Sequence, residues 1–340
     1  MTHTTLKDIA GKLGVSVTTV SKALKGYSDV SARTRKKVEE AAAALNYTPN
    51  SFAVNLRTQE SKTIGIIIPE VIHHFFSSVV NGIIAEAEKE GYLVIVLQSN
   101  ESFDLERKQI QLLLDKRVDG ILLSMANATD DFKHLHEVIE RGIPLVMFDK
   151  IAKLVPCHKV IIDDRKAAYI ATKHLIDQGC KRIAHFRGPN PVQNAIDRFL
   201  GYKKAIDDHG LPYDPKLIYT CKSVNFEDGI THTKALLADH KDVDGLFTGA
   251  DLVAVGAIKT LNELGIKIPE QIAIVGFSNW FVSSAITPTL STVDQPGLEM
   301  GQRAFDLMFQ QLQATKKGIA LKPETIILDT ELIVRNSSKK

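Results

Sequence analysis

Residues 6–25 read LKDIAGKLGVSVTTVSKALK, and this pattern predicts two short helices joined by a tight turn. Apolar residues recur at helical spacing in the first helix: Leu6, Ile9, Ala10 and Leu13. Gly14 then supplies the backbone freedom that a sharp turn needs. We interpret the stretch as a helix-turn-helix whose second helix reads the DNA major groove, with an ordinary helical hairpin as the alternative.

Side-chain caps predict where the helices of this region begin. Thr5, with Asp8 three residues later, is a start signal because its hydroxyl can bond the free N–H groups there. Ser16 is a good N-cap for the second helix, and Ser31 for a third, ARTRKKVEEAAAALNY. The predicted buried faces of these two helices contain Val20, Ala23, Leu24, Val38, Ala42 and Leu45. Together the elements predict an all-α head over residues 1–47.

Composition and charge fit a protein that contacts nucleic acid at one end. A chain of 340 residues, 44% hydrophobic and 24% charged, is an ordinary globular composition, long enough for about two domains. The net charge is only +2, but residues 1–60 carry nine Lys and Arg against five Asp and Glu. A basic head on a slightly acidic body favours phosphate contact by the head, although a solvated face can show the same bias.

The cysteines indicate a reducing compartment. Cys157, Cys180 and Cys221 are odd in number and show no CxxC spacing, which favours a reduced, cytoplasmic chain. No secretory signal is visible at the N-terminus. The longest apolar runs, such as residues 64–69, are too short to span a bilayer.

Residues 48–62 have the character of a conditional helix followed by a linker. Thr48 and Pro49 signal a helix start, and the helix would run to about Arg57. Helices of two turns are marginal in water, so we expect this one to form only against a partner. The polar residues 58–62 are interpreted as a linker.

From Thr63 onward, strand and helix patterns alternate. The strand candidates are mostly continuous Val/Ile/Leu runs, as in parallel strands covered on both faces: 64–69, 92–98, 120–124, 144–149, 160–163, 182–188, 217–221, 245–248, 272–277, 291–293 and 325–334. The pattern predicts an α/β body of two doubly wound parallel-sheet lobes with a cleft between them. We expect an N-lobe of about 63–161 and 290–324, and a C-lobe of about 162–289 and 325–340.

Motifs along the whole chain carry a family resemblance. They include VSVTTVSKAL followed by YTPN, then SKTIGIIIPE, RGIPLVMFD, HLIDQGCKRIAHFRGP, TGADLVAVGAI and TPTLSTVDQP. With these motifs the sequence resembles the lactose-repressor (LacI/GalR) family of bacterial transcription regulators. The resemblance implies a periplasmic-binding-protein-like body, a homodimer, a near-palindromic double-stranded DNA operator and a small-molecule effector, such as a sugar or related metabolite.

The resemblance also implies the residues of the DNA interface: Thr5, Val17, Thr18, Thr19, Ser21, Lys22, Asn50, Leu56 and Arg57. Val17, Thr18 and Lys22 would face base edges, whereas Thr19 and Ser21 would hold phosphates. Leu56 would wedge between base steps of the minor groove, with Arg57 beside it. Two alternatives stay open, because Val17 could be a packing residue and Lys22 could contact phosphate without sequence preference.

Ligands of such lobes bind outside the carboxyl ends of the strands. The effector residues implied there are His74, Phe75, Phe76, Asp149, Arg198, Asp251 and Ser278. Asp251 could equally cap the helix that follows it. Three positions, Val224, Ala250 and Ser278, depart from the aromatic, Asn and Asp residues of many sugar-binding relatives. These departures count against a plain sugar as the effector.

No motif favours catalysis or a bound cofactor. GxSxG, GxGxxG after a strand, the P-loop and HExxH are absent, and His73-His74 has no third metal ligand at suitable spacing. We therefore expect a binding protein with no cofactor, no metal and no enzymatic activity. Two other functions stay open, a regulator controlled by a protein co-regulator on the N-lobe and a solute-binding protein. Because residues 337–340 continue into no apolar heptads, a dimer is expected.

Overall fold

The computed structural model describes residues 4–47, 60–72, 74–190 and 192–340. Packing divides the chain into a head, residues 1–61, and a body, residues 62–340. The predicted helix over residues 50–57 lies outside the described residues, with the expected DNA contacts Asn50, Leu56 and Arg57. His73 of the candidate metal pair also lies outside them.

The head contains the three predicted helices, α1 (Leu6–Leu13), α2 (Val17–Leu24) and α3 (Ala32–Ala44). Each predicted cap is present. Thr5 and Asp8 form a reciprocal capping box, with Thr5 N donating to Asp8 Oδ2 over 2.8 Å. Ser16 Oγ accepts from Thr19 N at 3.0 Å, and Ser31 Oγ accepts from Thr34 N at 3.2 Å. The sequence therefore encodes the helix starts locally.

A small apolar core joins these helices. Gly14 ends α1 in the left-handed region, at φ 63°, which lets the chain turn sharply into α2. The buried members of the core come from all three helices and the turn before α3: Ile9, Ala10, Val20, Ala23, Val30, Val38, Ala41 and Ala42. The predicted helix-turn-helix is confirmed in this part of the chain.

The first lobe of the body is built on a six-stranded parallel sheet. Its strands, in chain order, are β1 (Thr63–Ile68), β2 (Leu93–Gln98), β3 (Gly120–Leu123), β4 (Leu145–Phe148), β5 (His158–Ile162) and β11 (Thr325–Leu328). Their spatial order is β11-β5-β4-β3-β1-β2. The helices of this lobe are α4 (His74–Lys89), α5 (Phe103–Asp115), α6 (Lys133–Glu140) and α12 (Gly297–Lys316). Strands β3 and β4 are buried throughout, as expected of strands covered on both faces.

The second lobe repeats this architecture. Its strands are β6 (Ile183–Arg187), β7 (Ile218–Thr220), β8 (Gly245–Thr248), β9 (Ala273–Ser278), β10 (Ser291–Asp294) and β12 (Glu331–Ile333), in the spatial order β12-β10-β9-β8-β6-β7. Only β12 runs antiparallel to its neighbour among these paired strands. The helices are α7 (Asp164–Asp177), α8 (Gln193–Asp208), α9 (Phe226–Asp239), α10 (Asp251–Glu263) and the short α11 (Val282–Ala285).

The chain crosses between the lobes three times, and two of the predicted lobe boundaries are wrong. Strand β10 pairs with β9, so residues 291–294 belong to the second lobe instead of the N-lobe. Strand β11 pairs with β5, so residues 325–328 belong to the first lobe instead of the C-lobe. The apolar run predicted as one strand over 325–334 is in fact two strands in different sheets, interrupted at Asp329 and Thr330.

No helix among the described residues is long and apolar enough to cross a membrane.

Candidate functional site

Helix α2, the predicted recognition helix, keeps its five predicted DNA contacts outside the buried core of the head. Val17 is 39% exposed and Thr18 is exposed, whereas Thr19, Ser21 and Lys22 are half-buried. Val17 therefore has apolar surface available to a partner, although the rest of the side chain is covered. The Thr19 hydroxyl lies 2.8 Å from Ser16 Oγ, so this side chain also takes part in the cap of α2.

Two expected DNA contacts already have polar partners within the head. Thr5 Oγ1 lies 2.8 Å from Asp8 Oδ2 in the capping box of α1. Lys22 Nζ donates to Asp29 Oδ2, which lies in the turn between α2 and α3. Both pairs lie on the surface of the head.

A cleft in the body is lined by residues of both lobes. The first lobe contributes Phe75, Phe76, Glu101, Asn127, Asp149 and Lys150. Lining residues from the second lobe include His185, Asn194, Arg198, Val224 and Ser278. The lining thus combines aromatic faces with carboxylate, amide and cationic groups.

Arg198 of α8 is held from three sides. Its Nε donates to Asp164 Oδ1 over 2.7 Å, and its Nη1 donates to the carbonyl oxygen of Gly249 over 2.8 Å. Its guanidinium carbon lies 3.7 Å from the centre of the Phe277 ring. Arg198 is therefore ion-paired with Asp164 before any ligand binds, and part of its guanidinium edge remains for further acceptors.

Asp149 and Asp164 form an acidic pair around this arginine. Burial raises the pKa of Asp149, against the opposing effect of Arg198. The pKa of Asp164 is likewise raised, to about 7, because burial and the charge of Asp149 outweigh the opposing effect of Arg198. Burial thus opposes the charged form of both carboxylates, whereas the Arg198 guanidinium favours it. Asp149 also has a positive φ of 55°, an unusual conformation for a residue with a side chain, of the kind found at binding sites.

A second polar network lies on the first-lobe wall. Lys150 Nζ donates to Glu101 Oε1 over 2.5 Å and to Asn127 Oδ1 over 2.7 Å. The backbone N–H of Asn127 donates to Glu101 Oε2 over 2.6 Å. These bonds fix the side chains of Lys150 and Asn127 at the edge of the cleft.

Glu106, deeper in the first lobe, anchors the same loop. This fully buried carboxylate accepts from the backbone N–H of Ala126 at 2.6 Å and from Thr129 Oγ1 at 3.0 Å. His134 Nε2 lies 2.9 Å from Glu106 Oε1. The loop that carries Asn127 is thus tied to α5 and α6, which makes Glu106 a positioning residue for the cleft.

His185 places an unused hydrogen-bond acceptor at the second-lobe wall. Burial lowers the pKa of this imidazole to about 3, so the ring is neutral. Its Nδ1 lies 3.0 Å from the carbonyl oxygen of Phe247, which makes Nδ1 the protonated nitrogen and Nε2 the acceptor. Nε2 is buried and has no hydrogen-bond partner among the described residues.

Five of the seven expected effector residues line the cleft, namely Phe75, Phe76, Asp149, Arg198 and Ser278. The expectation is wrong for Asp251, because its carboxylate points into the second lobe. There Oδ2 accepts from Trp280 N at 2.8 Å and Oδ1 accepts from Thr292 Oγ1 at 2.6 Å. Nor does Asp251 cap α10, since the N-cap position is Ala250. His74 is exposed at the start of α4 and does not line the cleft either.

Sequence reasoning missed several lining residues. Lys150, Glu101 and Asn127 follow strands β4, β2 and β3, so the strand-end rule that selected Asp149 could have found them. His185 carries no such signal, because it lies within β6 and has the pattern of a core position.

No group of three or more His, Cys, Asp or Glu residues is placed to hold a metal ion within the described parts of the chain.

Two family models, both of the LacI family, match this chain. Residues 61–327 match the model described as periplasmic binding proteins and sugar binding domain of LacI family. Residues 5–50 match the model of bacterial regulatory proteins of the lacI family. The two matches correspond to the body and the head.

Individual relatives match over nearly the full length. The ribose operon repressor of Halalkalibacterium halodurans is 33% identical over 337 residues, covering 99% of this chain and 97% of the relative. The transcriptional repressor CytR of Escherichia coli K12 is also 33% identical, with the same coverage. Among solved structures, the Lac repressor dimer bound to operator and the anti-inducer ONPF aligns with a TM-score of 0.87 at 26% identity over 99% of both chains. A CelR–cellobiose complex aligns with a TM-score of 0.74 at 27% identity, covering 98% of this chain and 100% of that one.

Proposed function

This chain belongs to the LacI family of bacterial regulatory proteins, and we propose that it works as a homodimer on a near-palindromic operator. It is a DNA-binding transcriptional repressor under effector control. In a dimer, two α2 helices would meet half-sites about one helical turn apart. The match to a Lac repressor dimer on its operator supports this assembly.

Exposed apolar side chains on the first lobe support self-association. Leu93 is 65% exposed at the start of the edge strand β2, and Ile84 on α4 is 40% exposed. Such groups on an edge favour burial against a second copy. Light scattering of the purified protein should give the mass of a dimer, and a monomer or a tetramer would contradict the proposal.

We propose that Val17, Thr18 and Lys22 read base edges, while Thr5, Thr19 and Ser21 position the head on phosphates. Val17 can offer only apolar contact, for example to a thymine methyl, and Lys22 can donate to guanine O6 or N7. The exposure of Val17 and Thr18 on α2 supports this assignment.

We propose that residues 50–57 link effector binding by the body to operator binding by the head. Their sequence suits a short helix that pairs with its mate in a dimer and enters the minor groove, with Asn50 at its start and Arg57 beside the wedge residue Leu56. Unstacking a base step costs a few kcal/mol, which the additional protein–DNA contact of bent DNA offsets. We propose that effector binding changes the angle between the lobes, and that this change favours or disfavours the paired helices.

The effector we propose is an uncharged, hydroxyl-rich molecule such as a sugar or nucleoside. One observation carries this proposal. Asp149 and Arg198 converge on the cleft from opposite lobes, and Arg198 is already ion-paired with Asp164. Phe75 and Phe76 add apolar surface for the face of a ring. Relatives named ribose operon repressor and a CelR–cellobiose complex are consistent with this chemistry.

The relatives are named as regulators, so we propose that the cleft binds its ligand without turnover. A repressor must share a compartment with its operator, and we therefore propose a cytoplasmic location.

Two measurements on the full-length protein test the proposed function. Selection from randomised duplexes should yield a near-palindromic site whose binding weakens steeply with salt. A calorimetric screen of neutral sugars and nucleosides should find a ligand that Asp149→Ala abolishes. Glu140→Ala also removes a carboxylate, at an exposed position on α6 that does not line the cleft; it is the control and should bind normally. Absence of salt-sensitive binding to any duplex would overturn the DNA role. Binding only to a phosphorylated carrier protein would replace the small effector with a protein co-regulator.

A further inference from the structure

The ion pair between Lys22 and Asp29 connects two elements of the head. Lys22 lies in the last turn of α2, and Asp29 lies in the turn before α3. Lys22 Nζ donates to Asp29 Oδ2, and the two side chains remain 43% and 53% exposed. The contact is therefore on the surface, where DNA can reach it.

The backbone around Asp29 is fixed, although its side chain is exposed. The next residue, Val30, is buried in the head core. The Val30 N–H donates to the Tyr27 carbonyl over 3.3 Å, and the Tyr27 N–H donates to the Lys22 carbonyl over 3.1 Å. Arg35 of α3 donates from Nη2 to the same Tyr27 carbonyl over 2.8 Å. Asp29 is consequently a fixed point from which to orient a flexible side chain.

A lysine ammonium is a mobile point charge on a four-carbon stem, and it binds phosphate as readily as a base edge. A neighbouring carboxylate changes the preference of the lysine between phosphate and base edge in two ways. It restricts the rotamers of the lysine, and it repels phosphate oxygens while leaving two N–H donors for guanine O6 and N7.

We propose that Asp29 is a specificity-determining positioning residue, which holds Lys22 for a base edge and keeps it from phosphates. The inference rests on the proposed DNA readout by Lys22. It assigns to Asp29 a role in discrimination between sites, with little effect on the stability of the head.

The test compares operator and random duplexes over a range of salt concentrations, with the full-length protein. Asp29→Asn should tighten binding to random duplex by roughly two- to fivefold, the range of a released surface ion pair. The salt dependence should steepen by about 0.9 in log–log slope, since the freed Lys22 makes one more phosphate contact. In selection from randomised duplexes, preference should relax at the base pair that Lys22→Gln also affects.

Three further variants make the test specific. Glu39→Gln also removes one acidic charge from the head, at an exposed position on α3, and should change these quantities much less. Asp29→Glu keeps the carboxylate and should preserve the wild-type slope. In a Lys22→Gln background, Asp29→Asn should have no further effect. The inference is overturned if Asp29→Asn behaves like Glu39→Gln, or if its effect persists without Lys22. Either result leaves the proposed function intact, whereas wild-type protein that binds no duplex would remove both.

Discussion

Gly82 and Gly301 lie where α4 crosses α12 so closely that neither position has room for a methyl group. A Cβ on Gly82 would lie 2.2 Å from the Leu298 carbonyl oxygen, and a Cβ on Gly301 would lie 2.0 Å from that of Val79. The second lobe has the same close crossing between α9 and α10, because a Cβ on Gly256 would lie 2.1 Å from the Phe226 carbonyl oxygen. In both lobes, the spacing of a helix pair depends on residues without side chains.

We expect Gly301→Ala to destabilise the body by about 1–3 kcal/mol, the usual cost of overpacking, because the obstacle is backbone that cannot rotate away. Urea unfolding of the full-length protein measures the change. Asn81→Ala is the matched control, since Asn81 is exposed on α4, and it should stay within about 0.5 kcal/mol of wild type. Equal midpoints for the two variants would disprove the close-crossing argument.

His185 should make the body sensitive to acid. Its pKa is about 3 in the folded chain against 6.5 in the unfolded chain, because burial and, to a smaller extent, the charges of Arg187 and Arg198 outweigh the hydrogen bond to Phe247. Between these values the unfolded state binds a proton that the folded state does not, so stability falls as pH decreases below 6.5.

The expected difference from His185→Asn is about 1.4 kcal/mol per pH unit between pH 6 and pH 4, with wild type losing stability faster. Denaturant unfolding of both proteins across this range measures the two slopes. Asn is chosen because its amide can donate to the Phe247 carbonyl in place of Nδ1. Parallel pH profiles would show that His185 titrates normally.

Glu106→Gln should weaken effector binding, although Glu106 does not line the cleft. Glutamine keeps one of the two carboxylate oxygens. The N–H₂ group that replaces the other cannot accept from Ala126 N on one side, or from Thr129 Oγ1 and His134 on the other, so at least one buried donor loses its acceptor at a cost of about 1–3 kcal/mol. The Asn127 loop should then be less well ordered, and calorimetry should show a weaker affinity for whatever ligand the screen identifies. Glu137→Gln, at an exposed position on α6, is the control. A Glu106→Gln protein with wild-type affinity would remove the positioning role.

Lys22→Ala should relax preference at one base pair of each half-site by about 1–3 kcal/mol. Competition binding with operators substituted at single positions measures this loss. If affinity falls equally for every substituted operator, Lys22 contacts phosphate only.

Leu56→Ala should weaken operator binding more than binding to random duplex, because wedging occurs only where the DNA is bent. Fluorescence anisotropy with both duplexes provides the comparison. Equal losses on the two duplexes would refute the wedge assignment.

The head could be predicted well because its signals are local. The capping residues Thr5, Ser16 and Ser31, and the turn residue Gly14, act within a few residues of themselves, and the structure has each where it was expected. The alternation of strand and helix in the body is also a local signal, and it predicted the two lobes. The family resemblance then identified Asp149 and Arg198 as candidate effector residues.

Errors arose where a residue's role depends on distant partners. The run over 325–334 contains apolar residues on both sides of Asp329, and only pairing with β5 and β10 shows that it divides between sheets. Asp251 looks available at a strand end, yet Thr292 and Trp280 hold its carboxylate. His185 and Glu106 appear as core positions in the sequence, because their contacts come from residues far along the chain.

The three crossings at 162–164, 294–297 and 328–331 have a mechanical consequence. A single tether would let the lobes tumble about many axes, whereas three side-by-side passages resist twisting and leave bending as the easy deformation. Any ligand that draws the two walls together would therefore produce nearly the same rotation, whatever its chemical details. Substitutions in the cleft would then change which ligand binds while leaving the rotation between the lobes the same.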